Sequence, residues 1–149
     1  MGSYVSSHLD PGESVVYETR LHWIVYLGSV LVIGVGLVFA LPGVPGQAAA
    51  GLAILAVGLI SLLAAWVRQV SSEFAVTNKR VIIKTGFLSR RTIELNMSKV
   101  ESIQVDQGIF ARLLNYGTIT VIGTGGAKEP FVLIDDPISF RHAVQQQQG

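Results

Sequence analysis

Two long apolar runs dominate the sequence: WIVYLGSVLVIGVGLVFAL at residues 23–41 and AAAGLAILAVGLISLLAAWV at residues 48–67. Neither run contains Lys, Arg, Asp or Glu. About 20 apolar residues in an α-helix span a hydrocarbon core of roughly 30 Å. The connecting residues 42–47, PGVPGQ, contain two prolines and two glycines, which end one helix and turn the chain. The sequence therefore predicts a transmembrane hairpin over residues 23–67, made of two antiparallel helices.

Two other readings of the apolar runs fit the sequence less well. A signal peptide would have a basic region before a shorter apolar run, whereas Asp10, Glu13, Glu18 and Arg20 give the first 20 residues a net charge of −2. A buried hairpin in a soluble protein would need a much larger protein to cover helices that are apolar on every side. A membrane anchor is the interpretation that 149 residues allow.

The basic residues predict the orientation of the hairpin. Arg20 precedes the first helix and Arg68 follows the second, while the loop at 42–47 carries no basic residue. The positive-inside rule then places both termini in the cytoplasm and the chain in the inner (plasma) membrane as a multi-pass protein. Aromatic side chains at this end of the hairpin favour the membrane–water interface. The predicted interface anchors are Arg20, Trp23, Tyr26, Trp66 and Arg68.

Small residues recur four positions apart in both helices, which lets helices approach closely in a membrane. They could pack the hairpin against itself or form the interface of a homo-oligomer, and the sequence leaves both open. The pairs are Gly36 and Ala40, Ala49 and Ala53, and Ser61 and Ala65.

From residue 70 to residue 149 the apolar pattern changes to a period of two, which indicates short antiparallel strands. The segment at 109–114, IFARLL, predicts one or two buried helical turns. Asp135-Asp136-Pro137 is typical of a helix start, and Phe140 and Val144 then lie on one helical face. We expect an all-β barrel or sandwich closed by a C-terminal α-helix, with residues 1–22 as a cytoplasmic N-terminal segment. The predicted strands include residues 74–77, 81–84, 91–97, 100–106, 118–122 and 131–134.

Three stretches of the chain resemble bacterial pleckstrin-homology (PH)-like membrane proteins. They are Pro11-Gly12-Glu13, the run FAVTNKRVIIKTG at 74–86, and VESI at 100–103 followed by QGIFARLLNYGT at 107–118. The resemblance covers nearly the whole chain, including the two-helix anchor. It implies a PH-like fold and a membrane topology, and it implies little about activity.

The sequence offers no catalytic constellation, so we expect a protein that is not an enzyme and has no cofactor, metal site or nucleic-acid partner. His8, His22 and His142 lack metal-ligand spacing, and there is no cysteine. The glycine-rich residues 123–126 precede a strand instead of a helix, which indicates a hairpin turn. Neither apolar run contains an ionisable residue that could mark an ion path.

Five basic residues and no acidic residue lie between Phe74 and Ile93. Near a bilayer such a cluster would attract anionic lipid, and otherwise it could bind an acidic partner or be an ordinary solvated surface. We therefore expect a membrane-anchored protein-interaction or assembly module, with a sensor of anionic lipid headgroups as the alternative. The candidate surface comprises Lys79, Arg80, Lys84, Arg90 and Arg91.

Overall fold

The computed structural model describes residues 3–41, 46–87 and 89–149. The chain divides into two compact units. One is the apolar unit Trp23–Val70, and the other joins the residues up to His22 with Ser71–Gly149. Residues 42–45 of the predicted loop lie outside the described residues.

The apolar unit is a pair of antiparallel helices. A 3-10 turn at Trp23–Tyr26 leads into α2 (Leu27–Ala40), and α3 spans Gln47–Val70. The Tyr26 hydroxyl donates a hydrogen bond to the side chain of Gln69, so the start of the first helix and the end of the second lie together. Both helical segments, Trp23–Ala40 and Gln47–Val70, are long and apolar enough to cross a membrane.

Small residues seven positions apart bring α2 and α3 into contact. A Cβ atom on Gly51 would lie 2.4 Å from the backbone nitrogen of Ala40, so only glycine fits this crossing. Of the pairs singled out in the sequence, Gly36 and Ala65 are buried, whereas Ala49 and Ala53 are exposed. Part of the small-residue pattern therefore packs the hairpin itself. The buried residues of the two helices are Ser29, Gly36, Gly51, Gly58 and Ala65.

The second unit, which we call the β domain, contains two antiparallel sheets and a C-terminal helix. The four-stranded sheet has the order β1 (Val15–Thr19), β2 (Glu73–Thr77), β3 (Arg80–Thr85) and β4 (Arg91–Asn96). The three-stranded sheet has the order β5 (Val100–Asp106), β6 (Tyr116–Gly123) and β7 (Lys128–Asp135). The helix α5 spans Pro137–Gln148. Two antiparallel sheets with a C-terminal helix fit the predicted PH-like fold.

The core of the β domain lies between the two sheets and α5. Alternate residues of each strand point inward, as the period-two pattern predicts. The carboxylate of Asp136 accepts a hydrogen bond from the Ser139 N–H at the predicted helix start, with Pro137 in the first turn. The largest fully buried apolar side chains of this core are Phe74, Phe140, Ile83, Ile119 and Ile134.

The segment before the hairpin is part of the β domain. Its strand β1 pairs with β2, which begins directly after α3. A short helix α1 (Ser3–Ser7) places Val5 against Ala75 and Ile82 on the other face of the same sheet. All five residues of β2 are buried as a result. The sequence did not predict this strand, because its partner lies almost 60 residues away across the apolar helices.

Candidate functional site

The polypeptide passes from the β domain to the hairpin at one end of the three-stranded sheet. The Thr19 hydroxyl donates to the Asp135 carbonyl oxygen at 2.7 Å, and the Asp135 N–H donates to the Arg20 carbonyl oxygen at 3.0 Å. The His22 N–H donates to the Leu133 carbonyl oxygen at 2.7 Å. The last residue before the apolar unit is therefore bonded directly to β7. We call residues 19–22, 115–117 and 133–136 the exit end.

A bulge in β7 provides the acceptor for His22. The β6–β7 register shifts between Gly117 and Ile119, and Leu133 there has φ of 60°. A leucine in the left-handed region costs about 1–3 kcal/mol and persists only where its surroundings require it. Turning Leu133 this way presents its carbonyl oxygen to the incoming chain.

Backbone strain is concentrated at the exit end. Asn115 and Asp136 also have positive φ, 59° and 43°, and the Asp136 N–H donates to the Asn115 carbonyl oxygen at 3.0 Å. With Leu133, they are the non-glycine residues of positive φ in the described part of the chain. Such clustering marks a junction whose geometry the surrounding contacts determine.

The His22 side chain is buried at this junction. Its ring stacks on Tyr116 with 5.2 Å between ring centroids, and its Nε2 lies 3.9 Å from a carboxylate oxygen of Asp135. Within residues 3–41, 46–87 and 89–149, no three His, Asp or Glu side chains could hold a metal ion together. The position of His22 is explained by packing and by the ion-pair geometry of the junction.

An exposed apolar surface precedes Tyr116 in the chain. The helix α4 (Ile109–Leu113) buries only Ala111, whereas Ile109, Phe110 and Leu113 are 88%, 77% and 81% exposed. The prediction that this segment is buried was wrong, because the smallest side chain of the helix faces the domain. We call Ile109, Phe110 and Leu113 the α4 patch. Sequence reasoning missed it because apolar spacing does not reveal which helical face meets the core.

The basic residues predicted as a binding surface are largely engaged inside the β domain. Arg80 forms a bidentate ion pair with Glu13, through Nε–Oε1 at 2.9 Å and Nη2–Oε2 at 2.8 Å. Its Nη1 donates to Glu94 at 2.8 Å. Glu13 also accepts a 2.7 Å hydrogen bond from the Thr77 hydroxyl, in the turn that Arg80 closes. Arg80 therefore connects the N-terminal segment to β3 and β4.

Electrostatics at this ion pair favour the charged state of both residues. Burial alone would raise the pKa of Glu13, but the hydrogen bonds from Arg80, the Asp10 N–H and Thr77, with the Arg80 charge, lower it overall. The hydrogen bond to Glu13 and the nearby carboxylates raise the pKa of Arg80. The ion pair therefore stabilises the contact between the N-terminal segment and β3.

The other four residues of the predicted basic surface differ in their surroundings. The Lys79 ammonium donates to the Pro11 carbonyl oxygen at 3.0 Å, and Lys84 lies 3.9 Å from a Glu73 carboxylate oxygen. Arg91 donates to both carboxylate oxygens of Glu129 at 2.8 and 2.9 Å. Arg90 is exposed. The fold thus supplies acidic partners that the local sequence lacks, and the binding surface itself stays a prediction.

The predicted interface anchors lie in both units. Trp23 and Trp66 are 55% and 54% exposed in the apolar unit, where Tyr26 is bonded to Gln69 and Arg68 is exposed near the end of α3. Arg20 is exposed in the β domain. Their role at a membrane interface stays a prediction.

A family model described as "Bacterial PH domain" matches residues 25–148, which is most of the chain. The chain belongs to the bacterial PH domain family. The matched region begins after β1, so the strand that completes the four-stranded sheet lies outside it. PH domains are generally non-catalytic modules for lipid or protein interaction. Searches of curated proteins and of solved structures found no significant match for this bacterial PH-domain protein.

Proposed function

We propose that this protein is a non-enzymatic, membrane-anchored PH-like domain that serves as a protein-interaction or assembly module at the cytoplasmic face of the plasma membrane. One observation carries the proposal. The residues that flank the apolar hairpin, His22 and Ser71, both belong to the β domain. A hairpin with both ends in one folded domain must have both ends on the same side of a bilayer.

No flexible linker separates the β domain from the start of the hairpin. His22 is held on β7 and the helical unit starts at the next residue, Trp23. On the other side, β2 begins at Glu73, three residues after α3 ends at Val70. Such short connections hold the β domain at the membrane surface. The basic residues Arg20 and Arg68 beside the hairpin support the cytoplasmic side.

An edge of the three-stranded sheet is the best candidate for a protein partner. Among the described strands, β5 pairs only with β6, so one side of β5 has backbone groups available to an added strand. A groove of about 400 Å³ lies beside its start, lined by Met97, Ser98, Val100 and the end of α5. There the Gln148 amide donates to the Val100 carbonyl oxygen at 2.6 Å, in the way that a peptide N–H would.

The alternative, a sensor of anionic lipid headgroups, depends on basic side chains that are available to bind lipid. Exposed Arg90 supports it, but the ion pairs of Arg80, Lys84 and Arg91 leave less uncompensated charge than the sequence suggests. The test of this alternative compares the full-length wild type with the double variant Arg90→Glu and Arg91→Glu, in nanodiscs with and without anionic lipid. A sensor requires the wild type to respond to anionic lipid and the double variant to lose the response.

Site-specific photo-crosslinking tests the interaction module in intact membranes. A photoreactive amino acid at Gln104, an exposed residue of β5, should give a discrete, protease-sensitive adduct with a protein. The same group at Ala127, exposed in the β6–β7 turn, is the matched control and should give no adduct. Equal labelling at both positions, or lipid adducts alone at Gln104, would contradict the proposal.

A further inference from the structure

The structure assigns a second membrane contact to this protein: we infer that the α4 patch inserts into the lipid headgroup region of the membrane that the hairpin spans. This inference rests on the proposed membrane anchor. It concerns Ile109, Phe110 and Leu113, whose exposure the packing of the β domain does not explain.

A helix that packs against a core turns its large apolar side chains toward that core, and α4 does the opposite. Ala111 faces the β domain, and the three large apolar side chains of the α4 patch face away from it. Folding alone gains nothing from this arrangement, because apolar side chains in water forgo the free energy of burial. Contiguous exposed apolar side chains of this kind mark a surface that binds a membrane or another protein.

Chain connectivity places the α4 patch near the membrane. His22 stacks on Tyr116, and Trp23, the next residue after His22, is the first of the apolar unit. Only Leu114 and Asn115 separate α4 from Tyr116. Leu113 is three residues from Tyr116, so their Cα atoms lie no more than about 11 Å apart. The α4 patch therefore belongs to the part of the β domain that the covalent chain holds at the bilayer surface.

The chemistry of the patch fits lipid better than a folded partner. Residues 107–117 contain one basic residue, Arg112, and no acidic residue. Arg112 is exposed beside the apolar side chains, where its guanidinium can bind phosphate groups of lipids. Apolar and aromatic side chains next to a basic residue are typical of segments that lie 5–10 Å deep in an interface.

Depth measurements with single-cysteine variants test the inference, since the chain contains no native cysteine. Full-length protein would carry an environment-sensitive fluorophore at Phe110→Cys or Leu113→Cys, in nanodiscs with lipids that bear a quencher at a shallow or a deep acyl position. We expect blue-shifted emission and stronger quenching by the shallow lipid. The control at Ala127→Cys lies at the other end of β6, roughly 25 Å along the strand from Tyr116, and should remain unquenched.

A label at Val57→Cys, exposed near the middle of α3, separates failure of the inference from failure of the anchor. If deep quenchers reach Val57 but no quencher reaches Phe110, the anchor stands and the inference is wrong. If Val57 is not quenched, the proposed anchor fails. Equal quenching at Phe110 and Ala127 would overturn a specific insertion of the patch. A label at Phe110 that is shielded from both lipid and water, with cross-links between copies, would assign the patch to a second copy instead.

Discussion

Glu13 and Arg80, which lie 67 positions apart in the chain, form a bidentate ion pair in which the Glu13 side chain is completely shielded from solvent. The pair joins two of the motifs that resemble bacterial PH-like proteins, Pro11-Gly12-Glu13 and the turn Thr77–Arg80. Because the Asp10 backbone N–H and the Thr77 hydroxyl also donate to Glu13, the carboxylate organises both the N-terminal segment and the β2–β3 turn.

Removing the charge of Glu13 should destabilise the β domain. Glu13→Gln keeps the shape but leaves the Arg80 guanidinium without its buried partner, which we expect to cost about 3 kcal/mol, the lower end for a broken buried pair because Glu94 remains beside Arg80. Hydrogen–deuterium exchange in nanodiscs should show faster exchange of β2 and β3. The matched control Glu101→Gln, an exposed residue of β5, should leave exchange unchanged.

Acidification should weaken the same contact. The pKa of Glu13 lies below its ordinary value of 4.5 in the folded protein, so its contribution to stability is complete above about pH 4.5 and is lost as the pH falls through the lowered pKa. Unfolding of the full-length protein followed from pH 6 to pH 3 should show this decline. In Glu13→Gln the decline should be shallower, and an identical pH profile for both proteins would contradict the assignment.

Phe140 should be a major contributor to the β-domain core. Its ring is fully buried and meets Tyr17 edge to face with 6.4 Å between centroids. We expect Phe140→Ala to lower the free energy of unfolding by about 3–5 kcal/mol. Ile138→Ala on the same helix removes a side chain that is 39% exposed and should cost less than about 1 kcal/mol. Similar losses for both variants would show that α5 does not close the core.

The close approach of α2 and α3 should depend on Gly51. A methyl group there would collide with the backbone of Ala40, so Gly51→Ala should separate the helices and lower the melting temperature in detergent. Gly34→Ala is the matched control, because its Cβ would have no neighbour within 4 Å. Because alanine is a better helix former than glycine by about 1 kcal/mol, Gly34→Ala should be as stable as the wild type or more stable.

The proposed topology predicts which residues an impermeant thiol reagent can reach in intact cells. A cysteine at Gln47, at the start of α3, should react from outside, whereas one at Gln145, an exposed residue of α5, should react only after the membrane is opened. The opposite pattern would invert the orientation and remove the cytoplasmic assignment of the β domain.

The strands and the C-terminal helix were predictable because they depend on local patterns. Alternating apolar residues such as Ile119 and Val121 predict a strand, and Asp136-Pro137 predicts a helix start. The structure has β6 and α5 at these positions. The candidate sites were predicted less well. Whether Arg80 is paired and whether Phe110 is buried depend on contacts with residues far away in the chain, which periodicity does not reveal.

Local patterns in the sequence predicted two uncharged apolar runs of spanning length, several short strands and a capped final helix, because hydrophobic periodicity and turn residues act over a few positions. Tertiary contacts place the segment before the hairpin in the sheet as β1, pair Glu13 with Arg80, and turn Ala111 of α4 inward and its large side chains outward. These three features arise from long-range packing, in which burial and charge pairing between distant segments decide what each side chain contacts.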